Sequence, residues 1–125
     1  MVQNPKNLRV YGQAFMLSAD VYNRFRDIKT SLRLKDQLFG SVSSVCANLA
    51  EMGAFESKTQ QKQKLITCVG ECNEAEYWFD LCREVGLLGE KEHGEFTGKL
   101  RKVRVMLFNL LGSVKEDIGK EGRKA

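Results

Sequence analysis

Apolar residues recur every three or four positions along most of the chain, the spacing that lines one face of an α-helix. The first stripe runs Leu8, Tyr11, Phe15, Tyr22, Phe25 and Ile28, with Asn4-Pro5 ahead of it as a start signal. It predicts a helix over about 7–29. A second stripe, Leu34, Leu38, Val42, Val45, Leu49 and Met52, follows the capping candidates Thr30 and Ser31 and predicts a helix over 31–54. Ser57-Lys-Thr-Gln60 then reads as a capping box, in which the serine accepts a backbone N–H of the new helix. The third helix, 58–85, carries Leu65, Cys68, Cys72, Ala75, Phe79, Cys82 and Val85, and Gly86 is its natural stop.

Residues 86–95 are rich in glycine and acid and read as a connecting loop. The fourth stripe, Phe96, Leu100, Val103, Leu107, Leu110 and Val114, predicts a helix over 95–117, with the tail 118–125 expected to fray. No segment alternates with the period of two that a half-buried strand requires. The fold class is all-α, and four helices on short connections close most simply as one antiparallel up-down-up-down four-helix bundle spanning 1–125. Helix four is also apolar on more than one face, through Val105-Met-Leu-Phe-Asn-Leu-Leu111. A second buried face in so small a chain points to a homo-oligomer, with Met106, Phe108 and Leu111 as its interface.

Composition narrows the class without naming a function. The 125 residues are 42% hydrophobic and 29% charged, an ordinary globular balance that disfavours a disordered or multidomain chain. MVQNPKNLRV lacks the apolar core of a secretory signal, and no run is long enough to span a membrane, so a cytoplasmic protein without membrane contact is expected.

Charge is segregated. Residues 1–70 carry ten basic and five acidic groups, residues 71–98 two and eight, and residues 99–125 eight and three. Such an arrangement suits a polyanion-binding face or charge-matched assembly of subunits. The candidate phosphate contacts are Lys99, Arg101, Lys102 and Arg104, with Lys115, Lys120, Arg123 and Lys124 beyond them. On a helical wheel they form no single stripe, so a flat basic patch needs help from Arg24, Arg26, the tail or neighbouring subunits.

Candidate chemistry is sparse. Cys68, Cys72 and Cys82 fall on the apolar stripe of helix three, where a small hydrophobe is wanted, and no second pair at ligand spacing completes a metal set. Glu90-x-x-His93 matches half of a di-iron signature once, in the expected loop, where an exposed histidine is the simplest reading. Glu74 and Glu76 point about 200° apart on a helix and cannot share a site, while Glu71 and Glu74 at i and i+3 read as a solvated acidic face. Gly86-Leu-Leu-Gly-Glu-Lys lacks the spacing and hydroxyl of a phosphate-binding loop. No enzyme activity, metal or cofactor is expected.

From Leu34 to Gly86 the chain carries Leu34, Gln37, Ser44, Val45, Asn48, Leu49, Ala50, Glu51, Ser57, Gly70, Glu74, Glu76 and Gly86. This pattern resembles the bacterial four-helix-bundle family whose founding members are encoded by intervening sequences in large-subunit ribosomal RNA genes. Asn7-Leu-Arg-Val-Tyr11 and Ala14 are similar to that family's first helix. Met52, Phe55 and Glu71 depart from it, standing where glycine, arginine and serine are usual. The resemblance implies a homo-oligomer, with pentamers among the members, and related bundles act as accessory proteins of diversity-generating retroelements, contacting a reverse transcriptase and its nucleic acid. For the shared polar residues we expect a network in which Gln37, Asn48, Glu51 and Glu74 fix the bundle's register and Gly70 permits close helix approach. The functional expectation is a non-catalytic, self-assembling accessory protein that binds RNA through basic surface, with a purely protein-binding scaffold as the alternative.

Overall fold

The computed structural model describes residues 4–124, built from a short 3-10 turn and four α-helices, with no strand among them. The turn Pro5–Asn7 is capped by Asn4, whose Oδ1 accepts from Lys6 N–H at 3.1 Å. The helices are α1 (Arg9–Phe25), α2 (Leu32–Met52), α3 (Lys58–Glu84) and α4 (Glu90–Lys124). Each packs on its chain neighbours, and α4 closes back on α1. Neighbours run antiparallel: Tyr11 contacts Cys46 and Tyr22 contacts Phe39, while Asp20 pairs with Lys99 and Arg24 with Glu92. This is the expected four-helix bundle.

Local chemistry explains most boundaries. Ser57 Oγ accepts from Gln60 N–H at 3.3 Å, forming the serine half of the capping box. Gly86 takes φ +82 and turns the chain so that the N–H groups of Leu87 and Leu88 both reach Cys82 O, an end that a side-chain-bearing residue would strain. α1 ends at Phe25, short of the expected 29, and Ser31 before α2 sits at φ 55 without donating or accepting a side-chain cap. Lys35 Nζ donates to Ile28 O at 3.0 Å and holds that turn.

Two expectations fail at α4. The helix begins at Glu90, not 95, because Glu90 and Glu92 favour its positive N-terminal end and His93 N–H already bonds Gly89 O. Nor does the tail leave the helix at 117. Residues 118–124 stay helical, Ile118 packs against the core, and Glu121 pairs with Lys58 at 2.9 Å.

The core is continuous from end to end and includes Leu38, Leu49, Leu65, Phe79, Leu100 and Leu107. All four cysteines are free and buried, as the stripe of α3 implied for three of them. In α1 the inward residues are Val10, Ala14, Leu17, Val21 and Phe25. Phe15 and Tyr22, assigned to the core from the sequence, are more than half exposed. α1 carries two apolar stripes side by side, and the smaller side chains won the interior.

Candidate interaction surfaces

The basic residues of α4 divide into tied and free groups. Arg104 Nη1 donates to Glu76 Oε1 at 2.7 Å and to Asn73 Oδ1 at 3.0 Å, and its side chain is only 22% exposed. Arg101 approaches the same carboxylate at 4.0 Å, and Lys99 bonds Asp20 on α1 at 3.2 Å. These three were expected to meet phosphates, yet they spend charge on α3 and α1. Lys102, Lys115, Lys120 and Arg123 are exposed, and no ion pair among the described residues holds them. The side chain of Lys124 lies outside the described residues.

The family-motif residues also part company. Asn48 and Glu51 do reach α3, but through Lys64: its Nζ donates to Asn48 Oδ1 at 3.2 Å and to Glu51. Asn48 Nδ2 in turn donates to Ser44 O at 2.8 Å. Gln37 and Glu74 are exposed and take no part in this network. Gly70 is exposed as well, with nothing within 4 Å of where a Cβ would stand, so it permits no close approach inside the subunit. The close glycine is Gly53, whose Cβ would fall 2.7 Å from Pro5 Cδ. Lys64 was missed because a lone lysine on a long polar helix carries no distinctive signal.

Titratable chemistry is muted. Burial pushes the thiols of Cys68 and Cys72 up to about 12 and those of Cys46 and Cys82 up to about 11, far from the thiolate a nucleophile needs. Glu71 is also raised, by burial first and by Glu74 beside it second. His93 is not the exposed loop residue expected; it is 7% exposed within α4. Both ring nitrogens are engaged, Nε2 with Asp80 at 2.7 Å and Nδ1 with Arg83 at 3.4 Å. Among the described residues no group of three or more His, Cys, Asp or Glu is placed to hold a metal ion.

Apolar surface is the more prominent feature. Tyr11, Phe15, Tyr22 and Phe39 wall a groove of about 510 Å³ along the outer seam of α1 and α2, floored by Ala19, Ala47 and Ala50. Ile66 and Tyr77 on α3, with Val105 and Phe108 on α4, are exposed on the opposite pair of helices. The interface expected from the sequence is therefore split. Phe108 is 52% exposed, Met106 is half-buried beside Leu8 and Val10, and Leu111, only 6% exposed, belongs to the core. The α1/α2 groove is not legible in the sequence pattern, which places Tyr11, Phe15 and Tyr22 on the inward stripe and leaves Phe39 off it.

The fold defines a helical-bundle protein with exposed apolar side chains on both its α1/α2 and its α3/α4 sides. The chain belongs to the 23S rRNA-intervening sequence protein family, which matches residues 6–109. In structure it is similar to a crystal structure of a protein with unknown function from the S23 ribosomal protein family of Bacteroides thetaiotaomicron. The two share a TM-score of 0.76 and 18% sequence identity over 82% of this chain and 95% of that one. At that identity the likeness speaks for the fold. No curated protein sequence matches the chain. No described helix is long and apolar enough to cross a membrane.

Proposed function

We propose that this chain is a non-catalytic, self-assembling accessory protein that holds RNA by phosphate contacts from the outer surface of α4. The observation that carries the reading is the exposed set Lys102, Lys115, Lys120 and Arg123, cations that no carboxylate among the described residues neutralises. Repeated around a homo-oligomer, for which the family resemblance suggests five subunits, a modest set per subunit becomes a multivalent polycation. Such contacts bind phosphate without reading sequence. The raised thiols and the doubly engaged His93 support a role without catalysis. A cytoplasmic location and a protein partner of the reverse-transcriptase type belong to the same proposal.

Fluorescence anisotropy of a structured RNA with nucleic-acid-free protein, at low and high salt, tests it. Binding that falls steeply with salt and weakens when Lys102, Lys115, Lys120 and Arg123 are changed to Ala supports the reading, because phosphate contacts release counterions. An intact oligomer that fails to bind at low salt overturns it. That outcome favours the protein-binding scaffold, to which the pairing of Lys99 with Asp20 and of Arg104 with Glu76 inside the subunit already leans.

A further inference from the structure

The α1/α2 groove is the middle of a longer trough. Tyr11 and Phe15 also line its continuation toward Lys6 and Met16, while Tyr22 and Phe39 also line its continuation toward Arg26, Lys35 and Asp36. Tyr11, Phe15, Tyr22 and Arg26 lie on one stripe of α1 and its C-cap, so the trough follows that helix for about 22 Å. The rings of Phe15 and Tyr22 are more than half exposed along it. Between the rings the lining turns polar, with the hydroxyls of Ser18 and Ser43 and the amide of Asn23.

Charge along the trough is one-sided once the pairs inside the subunit are set aside. Arg24 is paired with Glu92, Asp20 with Lys99, and Arg26 with Asp27. What remains is Lys6 at one end, and Lys29, Arg33 and Lys35 against Asp36 at the other. Lys35 Nζ donates to the carbonyl of Ile28, a contact that leaves its positive charge uncancelled.

Aromatic faces in a row, polar groups between them and cations at the ends suit a ligand that is apolar on flat faces, polar at its edges and anionic along its backbone. Unpaired nucleobases on a phosphate chain have that combination, since each offers a π-face to an aromatic ring and hydrogen-bonding edges to hydroxyl and amide groups. A duplex buries the faces of its bases in its own stack and can reach only the cations.

We propose that the α1/α2 trough binds single-stranded RNA, with bases stacked on Phe15 and Tyr22 and phosphates held by Lys6, Lys29, Arg33 and Lys35. This rests on the RNA reading above and adds to it a second surface and a preference for unpaired strands. The length of the trough suits about four nucleotides.

The test uses the full chain and a short unstructured RNA carrying a fluorescent aminopurine base, whose emission falls when it stacks on a ring, beside a duplex of the same length. Phe15→Leu and Tyr22→Leu keep an apolar side chain and remove the ring. Circular dichroism melts establish that each variant is folded, and light scattering gives the mass of every sample. The expected result is quenched emission with the unaltered chain, tighter binding of the single strand than of the duplex, and a loss of about 5- to 100-fold in affinity for each variant at unchanged mass. Binding without quenching, equal affinity for the duplex, or equal affinity in the variants overturns this site and leaves the phosphate contacts of α4 standing. A mass that falls in the variants shows a second copy seated on the groove and overturns it as well. An unaltered chain that binds neither RNA at low salt overturns both readings and turns the groove toward a protein partner.

Discussion

Across the α3–α4 turn, His93 Nε2 donates to Asp80 Oδ1 at 2.7 Å. The tautomer follows from the other edge of the ring, where Nδ1 faces the guanidinium of Arg83, which can only donate. The histidine thus joins the last turns of α3 to the first turn of α4, and Thr97 Oγ1 bonds its carbonyl at 2.8 Å. A buried ring satisfied on both nitrogens is a rivet. His93→Ala should lower unfolding free energy by about 1–3 kcal/mol, because it leaves a cavity and frees two polar partners. Asp80→Ala, at a half-exposed carboxylate, should cost less than about 1 kcal/mol. Urea denaturation of the two variants checks the order, and equal losses would show that burial of the imidazole contributes little.

Arg104 and Lys102 stand two residues apart on α4 and should answer two assays in opposite ways. Arg104 bridges to Glu76 and Asn73 with most of its side chain covered. Arg104→Ala should destabilise by about 1–2 kcal/mol and leave RNA affinity nearly unchanged. Lys102→Ala should stay within about 0.5 kcal/mol in stability and weaken RNA binding at low salt. Thermal melts and anisotropy on the same preparations separate the structural cation from the binding one.

Two carboxylates should move acid stability in opposite directions. Arg24 hydrogen-bonds Glu92 and holds it below its ordinary value of 4.5, so its contribution is in place above that value and is lost as pH falls through the lowered one. Glu71, raised by burial and by Glu74, stabilises the fold only while protonated, and that contribution is lost as pH rises through the raised value. Glu92→Gln should therefore weaken the protein at pH 7 and lessen its loss of stability in acid. Glu71→Gln should strengthen it at pH 7 and change nothing at pH 3. Guanidinium unfolding at both pH values reads the four quantities directly.

The sequence disclosed the elements of the bundle better than the faces of its helices. Stripes of Leu, Val and Cys on α2 and α3 had no competitor, so Leu38, Leu49, Leu65 and Cys72 fell inside as expected. On α1 two stripes competed, and hydrophobicity alone cannot rank Phe15 against Ala14 for the inward face. Gly89 and Gly94 hid the first turns of α4, since glycine is a weak breaker when acids favour the helix start and a histidine can bond across the turn. The basic set of α4 was legible only in part, because antiparallel packing brings Glu76, distant in sequence, against Arg101 and Arg104. Contacts of this kind depend on register, and register is written in the whole core at once.

Gly53 and Gly70 offer opposite mutational signs from the same substitution. At Gly53, which follows α2, an added Cβ would meet Pro5 Cδ at 2.7 Å and Cγ at 2.8 Å. The proline ring has little freedom to yield, so Gly53→Ala must displace the turn Pro5–Asn7 from the bundle end, a strain of about 1–3 kcal/mol. At Gly70 the helix is regular and the space open, so alanine should add about 1 kcal/mol through helix propensity alone. Urea unfolding should show Gly53→Ala below the unaltered chain and Gly70→Ala above it. A loss of stability in Gly70→Ala would instead show that a close neighbour stands at that outward face of α3.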